Sequence, residues 1–139
     1  MKRIFFTVLL ALCSASVLLA QGPWKLKLFC PEEKVRLHID LYEESIQVPG
    51  MEMFGPMNGY LGGDIYCVWS VTSFKIQDDK VATLRLSNDL GSETQKATLT
   101  QQSDSIYNLH LDGINVVKRV SGKKLVKIPV DLKMKVDAR

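Results

Sequence analysis

At 139 residues the chain has room for one domain with a core of its own, and 18 basic residues against 15 acidic ones give a formal charge of +3. Two of those basic residues, Lys2 and Arg3, sit at the extreme N-terminus, so the charge offers no argument for a nucleic-acid partner. Lys2 and Arg3 precede the apolar run Ile4 to Leu12, and Ala20 before Gln21 forms a cleavage point, with Ser16 as the alternative. That pattern predicts a secretory signal peptide over residues 1–20, followed by one domain over residues 21–139. The apolar run falls short of the ~20 residues a spanning helix needs, and no stop-transfer pattern follows, so no stable membrane span is expected after cleavage. Cys13 suggests a lipid-anchored form as the lesser reading. Leu12 occupies the place where a lipoprotein signal has a small residue. The expected destination is the periplasm or the medium, and the 119 residues left of the 139 carry a charge of about +1.

Beyond the signal the sequence reads as β-structure. Trp24, Leu26 and Leu28 alternate with Lys25, Lys27 and Phe29, and Val35, Leu37, Ile39 and Leu41 alternate with Arg36, His38, Asp40 and Tyr42. Alternation of period two puts one face on a core and the other in water. Further strands are expected at 45–48, 65–71, 74–77, 81–87, 95–101, 106–111, 115–120 and 130–136. Turn residues punctuate them, with Asp112-Gly113 a hairpin signal and Ser121-Gly122 a second turn. Val68-Trp69-Ser70-Val71 is apolar enough on both faces to lie centrally or under a covering segment. Pro129 marks a strand boundary, edge or bulge. No amphipathic helix, internal repeat or linker interrupts this. The predicted fold is all-β, a single antiparallel meander of about 8–10 strands closing into a small barrel, since closure removes exposed edges.

The segment 49–63 departs from the pattern. It is glycine-rich yet apolar, and it holds Met51, Met53 and Met57 together with Phe54 and Tyr60. Methionine presents a soft surface that fits irregular partners, and a loop of this length is often functional. It reads as a lid or portal over a cavity, as an anchor for a protein partner, or as a plug folded into one barrel end. Met51, Met53, Phe54, Met57, Tyr60 and Trp69 are the candidate ligand-binding residues. Cys30 and Cys67 remain after loss of Cys13; in an exported chain they form a candidate disulfide, or else two buried thiols.

No catalytic residues and no metal ligands are indicated, and no cofactor. His38 and His110 lie on polar strand faces without a cysteine or acid at metal-ligand spacing, no serine sits in a nucleophile elbow, and the glycines around Gly62-Gly63 lack the Lys-Ser/Thr of a phosphate loop.

Gly22-Pro23-Trp24, opening the first strand, resembles the Gly-x-Trp of the calycin group, the lipocalins, fatty-acid-binding proteins and avidins. The resemblance implies a barrel closed at one end by Trp24, with Lys133 (or Lys135) of the last strand packed against it, and an apolar ligand within or at the mouth. More broadly the chain is similar to small exported calycin-like barrels. Phe29-Cys30 followed by the strand 35–41 is similar to periplasmic lysozyme inhibitors, whose inserted loop Gly55 to Tyr60 loosely echoes. These features lead to two expectations: a non-enzymatic exported barrel binding a small hydrophobic or amphipathic ligand under loop 49–63, or a protein-interaction module anchored by that loop.

Overall fold

The computed structural model describes residues 22–137; the expected signal peptide and Cys13 lie outside the described residues. Ten strands follow one another: β1 (Lys25–Cys30), β2 (Val35–Asp40), β3 (Gly59–Gly63), β4 (Trp69–Ile76), β5 (Val81–Asn88), β6 (Thr94–Gln101), β7 (Ile106–Asp112), β8 (Lys118–Ser121), β9 (Lys124–Lys127) and β10 (Asp131–Val136). Eight of them close an antiparallel barrel in the order β1-β10-β7-β6-β5-β4-β3-β2, and β8 and β9 pair only with each other. The all-β barrel expected from the alternation is therefore the fold.

The inward residues of each strand make the core. Register pairs Leu28 with Leu37, Leu37 with Leu61, Leu61 with Trp69 and Leu86 with Val71, so one apolar row follows another around the wall. Each Leu, Ile or Phe taken from water contributes roughly 1.5–3 kcal/mol. One end of the barrel gathers the start of β1, the loop from β2 to β3, and the start of β7. The other gathers the β1–β2 turn, the β3–β4 loop and the whole β7–β10 connection with its hairpin.

Several local expectations are corrected: the strands expected at 65–71 and 74–77 are one, β4, with residues 65–68 in the preceding loop, and the strand expected at 115–120 begins only at Lys118. Gly59–Gly63 is a strand, not loop. Its glycines allow close backbone approach: a Cβ on Gly59 would stand 2.2 Å from the His38 carbonyl oxygen, and one on Gly63 2.4 Å from that of Lys34, at φ of +152° and +104°. Asp112-Gly113 closes no hairpin, because β7 pairs with β10 and β6 while residues 113–117 leave the sheet. Residues 45–48 form no strand; Ile46 alone bridges Met57.

Candidate functional site

The inside of the barrel is occupied by its own side chains. Leu37, Ile39, Leu61, Leu86, Leu99 and Leu109 expose 0% of their surface, and Trp24 and Trp69 only 1% and 2%, so no solvent-sized space opens beside them. Trp69 hydrogen-bonds the Tyr66 carbonyl through Nε1 at 3.4 Å. Trp24 stands edge-on to Tyr107, ring centroids 6.2 Å apart, and its own Nε1 finds no partner among the described residues. Lys133 and Lys135 point outward on β10, exposed in alternation with the buried Leu132 and Met134, so the aromatic neighbour of Trp24 is Tyr107 where a lysine was expected. Burial, then the neighbouring Tyr42 and Asp104, raises the Tyr107 phenol above its ordinary pKa.

The cysteines do not bond. Cys30 is buried at the end of β1 and Cys67 half-buried in the β3–β4 loop, both free, which corrects the expected disulfide. Two strand-like runs sharing a barrel end need not bring their Cα atoms within bonding range. Cys67 sits at φ +70° with Asp89 as its hydrogen-bond partner; burial first and that carboxylate second push its thiol up to about 11.

The loop from β2 to β3 is built from its base. Asp40 is almost fully buried, and its Oδ1 accepts the amides of Tyr42 and Glu43, each at 3.1 Å, while its Oδ2 accepts the Ser45 hydroxyl at 2.7 Å. Burial pushes this carboxyl up, but those three donors and Lys25 at 3.9 Å hold it net below the usual carboxylate range. Across the loop Asn58 donates Nδ2 to the Asp40 carbonyl at 3.0 Å, and Ile46 and Met57 exchange both backbone bonds at 2.9 and 2.8 Å. Ile46 and Val48 are buried yet separate from the barrel-core cluster, and Pro49 borders the outer face of β3. The loop thus folds back along the outside of the barrel. Ser70, opposite Tyr60 on β4, is 1% exposed and donates its hydroxyl to the Ser87 carbonyl at 3.5 Å.

Beyond this neck the chain turns outward. Glu52–Phe54 form one 3₁₀ turn, with the Phe54 amide bonded to the Met51 carbonyl at 3.0 Å and the Gly55 amide to that of Glu52 at 3.1 Å. Gly50 and Gly55 flank the turn at φ +79° and +75°, conformations open to glycine, and the Glu52 carboxylate accepts the Gly50 amide at 3.1 Å. At the tip Met53 is 84% exposed and Phe54 67%, while Met51 and Met57 are half-buried in the neck.

Beside Pro49 lies a concavity of about 600 Å³ on the outer face of β1–β3, with Gly62 and Gly63 as floor and Phe29, Arg36 and Tyr60 among its walls. The Arg36 guanidinium carbon sits 5.4 Å over the Phe29 ring, and Tyr60 meets His38 edge-on at 6.0 Å. Burial, then Lys27, lowers the pKa of His38. Of the six candidate residues, the structure therefore gathers Met51, Met53, Phe54 and Met57 in one loop, sets Tyr60 on the adjoining outer face, and separates Trp69 into the core.

On the far side of the barrel His110 Nδ1 meets Asp131 Oδ1 at 2.7 Å and its Nε2 stands 3.7 Å from Asp112, which accepts the Thr98 hydroxyl at 2.6 Å. The bond to Asp131 comes first in raising the His110 pKa. The row ties β6, β7 and β10 together across the outer surface. Among the described residues no group of three or more His, Cys, Asp or Glu is disposed to hold a metal ion.

Comparison with family models, with curated proteins and with solved structures returns no match to this chain.

Proposed function

We propose that this protein is an exported, non-enzymatic interaction module that binds a protein partner through the tip of the β2–β3 loop. The observation that carries the reading is the contrast between a packed interior and two large apolar side chains, Met53 and Phe54, held in solvent on a turn whose neck is closed by the paired backbone bonds of Ile46 and Met57. Adjacent apolar side chains presented together at the tip of an ordered loop form a contiguous patch that suits docking, and a loop ordered before binding loses less entropy on complex formation. Phe54 is the anchor for an apolar cleft of the partner, Met53 adapts beside it, and the concavity walled by Phe29 and Tyr60 receives the rim of the contact.

A small amphipathic ligand is the second reading, favoured by the same concavity, where glycine replaces side chains on the floor and Arg36 lies over Phe29. Within the calycin-like architecture such a ligand would then sit outside the barrel wall.

The test is recovery of partners from an envelope extract by the wild-type protein and by the double variant Met53→Ser/Phe54→Ser. A partner retained by the first and lost by the second is the expected result. A small-molecule adduct in native mass spectrometry, unaffected by the double substitution, would replace this reading with the second.

A further inference from the structure

The β7–β10 connection carries a surface that the loop-tip reading leaves unused. Residues 113–130 hold five basic side chains, Lys118, Arg119, Lys123, Lys124 and Lys127, and no acidic one. Its base is fixed to the barrel. Asn115 is buried, donating to the Ile128 carbonyl at 2.6 Å and accepting the Val117 amide at 3.0 Å, and Val117 and Ile128 are buried with it. Arg119 spans to Glu33 at 2.6 Å and to the Asp64 carbonyl at 3.3 Å. That arginine is neutralised where it stands.

Past this clamp everything is exposed. Residues 120–127 form the outer part of the β8–β9 hairpin, turned at Gly122 with φ +63°. Val120 pairs with Leu125 across the hairpin, at 58% and 48% exposure, and Lys118 pairs directly with Lys127. Two residues apart along each strand, these four side chains share one face: an apolar pair toward the turn, two cations toward the base. Lys123 and Lys124 add their charge at the turn. None of the four lysines has an ion pair among the described residues, and like charges directly opposite destabilise a strand pair.

We infer that this hairpin is a peripheral docking element for an anionic lipid surface. Charge complementarity selects a negatively charged partner. The exposed Val120–Leu125 pair amid the lysines selects a lipid interface over a soluble polyanion, which would use the cations and leave the apolar pair wet. The hairpin sits at the barrel end opposite the root of the β2–β3 loop, so both surfaces can be engaged together.

The test uses the chain without residues 1–20, which keeps every described residue, and co-sedimentation with vesicles of phosphatidylcholine alone or mixed with phosphatidylglycerol. Binding only to the mixed vesicles is expected, falling steeply toward 1 M salt, where the Debye length is about 3 Å. Lys123→Glu/Lys124→Glu should weaken partitioning by at least about fivefold per charge removed. Val120→Ser/Leu125→Ser should weaken it too, with melting temperatures unchanged in both variants because all four positions are exposed. Met53→Ser/Phe54→Ser should bind vesicles like the wild type. Equal binding to both vesicle types, no binding to either, or insensitivity to the charge reversals would overturn the inference. So would charge-dependent binding that ignores Val120→Ser/Leu125→Ser, which marks a polyanion site, or loss of vesicle binding on changing Met53 and Phe54.

Discussion

Asp40 is the residue on which the loop's shape depends, and Asp40→Ala tests that directly. The substitution strands three donors, the amides of Tyr42 and Glu43 and the Ser45 hydroxyl, now bonded at 2.7–3.1 Å. A buried donor left without an acceptor costs about 1–3 kcal/mol. Tyr42, Glu43 and Ser45 are themselves exposed, so water recovers part of that loss and the lower half of the range applies. Lys25, with a side chain 67% exposed, adds little. At about 1 kcal/mol for each of the three donors the expected destabilisation is about 3 kcal/mol, which lowers the melting temperature of a domain of this size by roughly 10 °C. Asp40→Asn retains an acceptor for both amides and should cost about 1 kcal/mol. Urea unfolding followed by tryptophan fluorescence reads both, since Trp24 and Trp69 leave a buried environment on unfolding. Because the folded carboxyl titrates below its ordinary value, its stabilisation is complete above about pH 4 and disappears as pH falls through the folded pKa. The gap between wild type and Asp40→Ala should close in acid. An Asp40→Ala variant within about 0.5 kcal/mol of wild type would refute the reasoning, as would equal losses for Asn and Ala.

The two histidines should titrate on opposite sides of 6.5 in an NMR pH series, His110 above and His38 below. For His110, the pairing with Asp131 contributes fully below 6.5 and is lost as pH rises through its higher folded pKa; His38 works in the other sense, losing stability as pH falls below 6.5. The intact mass should be that of the fully reduced chain, and reductant should leave the melting temperature unchanged; a mass lower by two hydrogens would contradict the free thiols. At mild alkalinity a thiol reagent should modify Cys67 slowly, because its pKa is about 11, and Cys30 only on unfolding. Gly63→Ala forces a Cβ to 2.4 Å from the Lys34 carbonyl oxygen and should cost several-fold more in urea unfolding than Gly91→Ala, whose Cβ meets nothing within 4 Å and whose cost is the ~1–2 kcal/mol of a left-handed backbone.

The barrel was legible because its strands alternate. Leu26 to Leu28, Val35 to Leu41 and Val81 to Leu86 each repeat with period two, and that repeat survives tertiary packing because one face meets a common core. β3 was illegible for the converse reason. Gly59, Gly62 and Gly63 offer no side chain to alternate, and only the neighbouring backbones of His38 and Lys34 reveal why glycine stands there. Asp112-Gly113 read as a hairpin because turn chemistry is local, whereas the partner of β7 is chosen across the barrel by β10. In the loop, composition singled out the methionines and Phe54 but could not distribute them between neck and tip. That division follows from Asp40, Asn58 and the Ile46–Met57 bridge, polar and backbone groups without a hydropathy signal. Asn115 and Gln95, which brace the base of the β8–β9 hairpin, carry no pattern either; Gln95 bonds the Asp112 carbonyl at 2.9 Å and the Val116 amide at 2.9 Å from a different strand. Lys133 was assigned through the resemblance, while strand alternation alone turns it outward between Leu132 and Met134.

The most direct test of the account is photo-crosslinking in the living envelope, with a benzophenone side chain at position 54 and, as a control, at position 90. Phe54 and Leu90 are equally exposed, at 67% each, so solvent access and encounter frequency match. A discrete protein adduct from position 54 and none from position 90 is the predicted result. Identical products from both positions, or none from position 54, would contradict a partner-binding role for the loop tip.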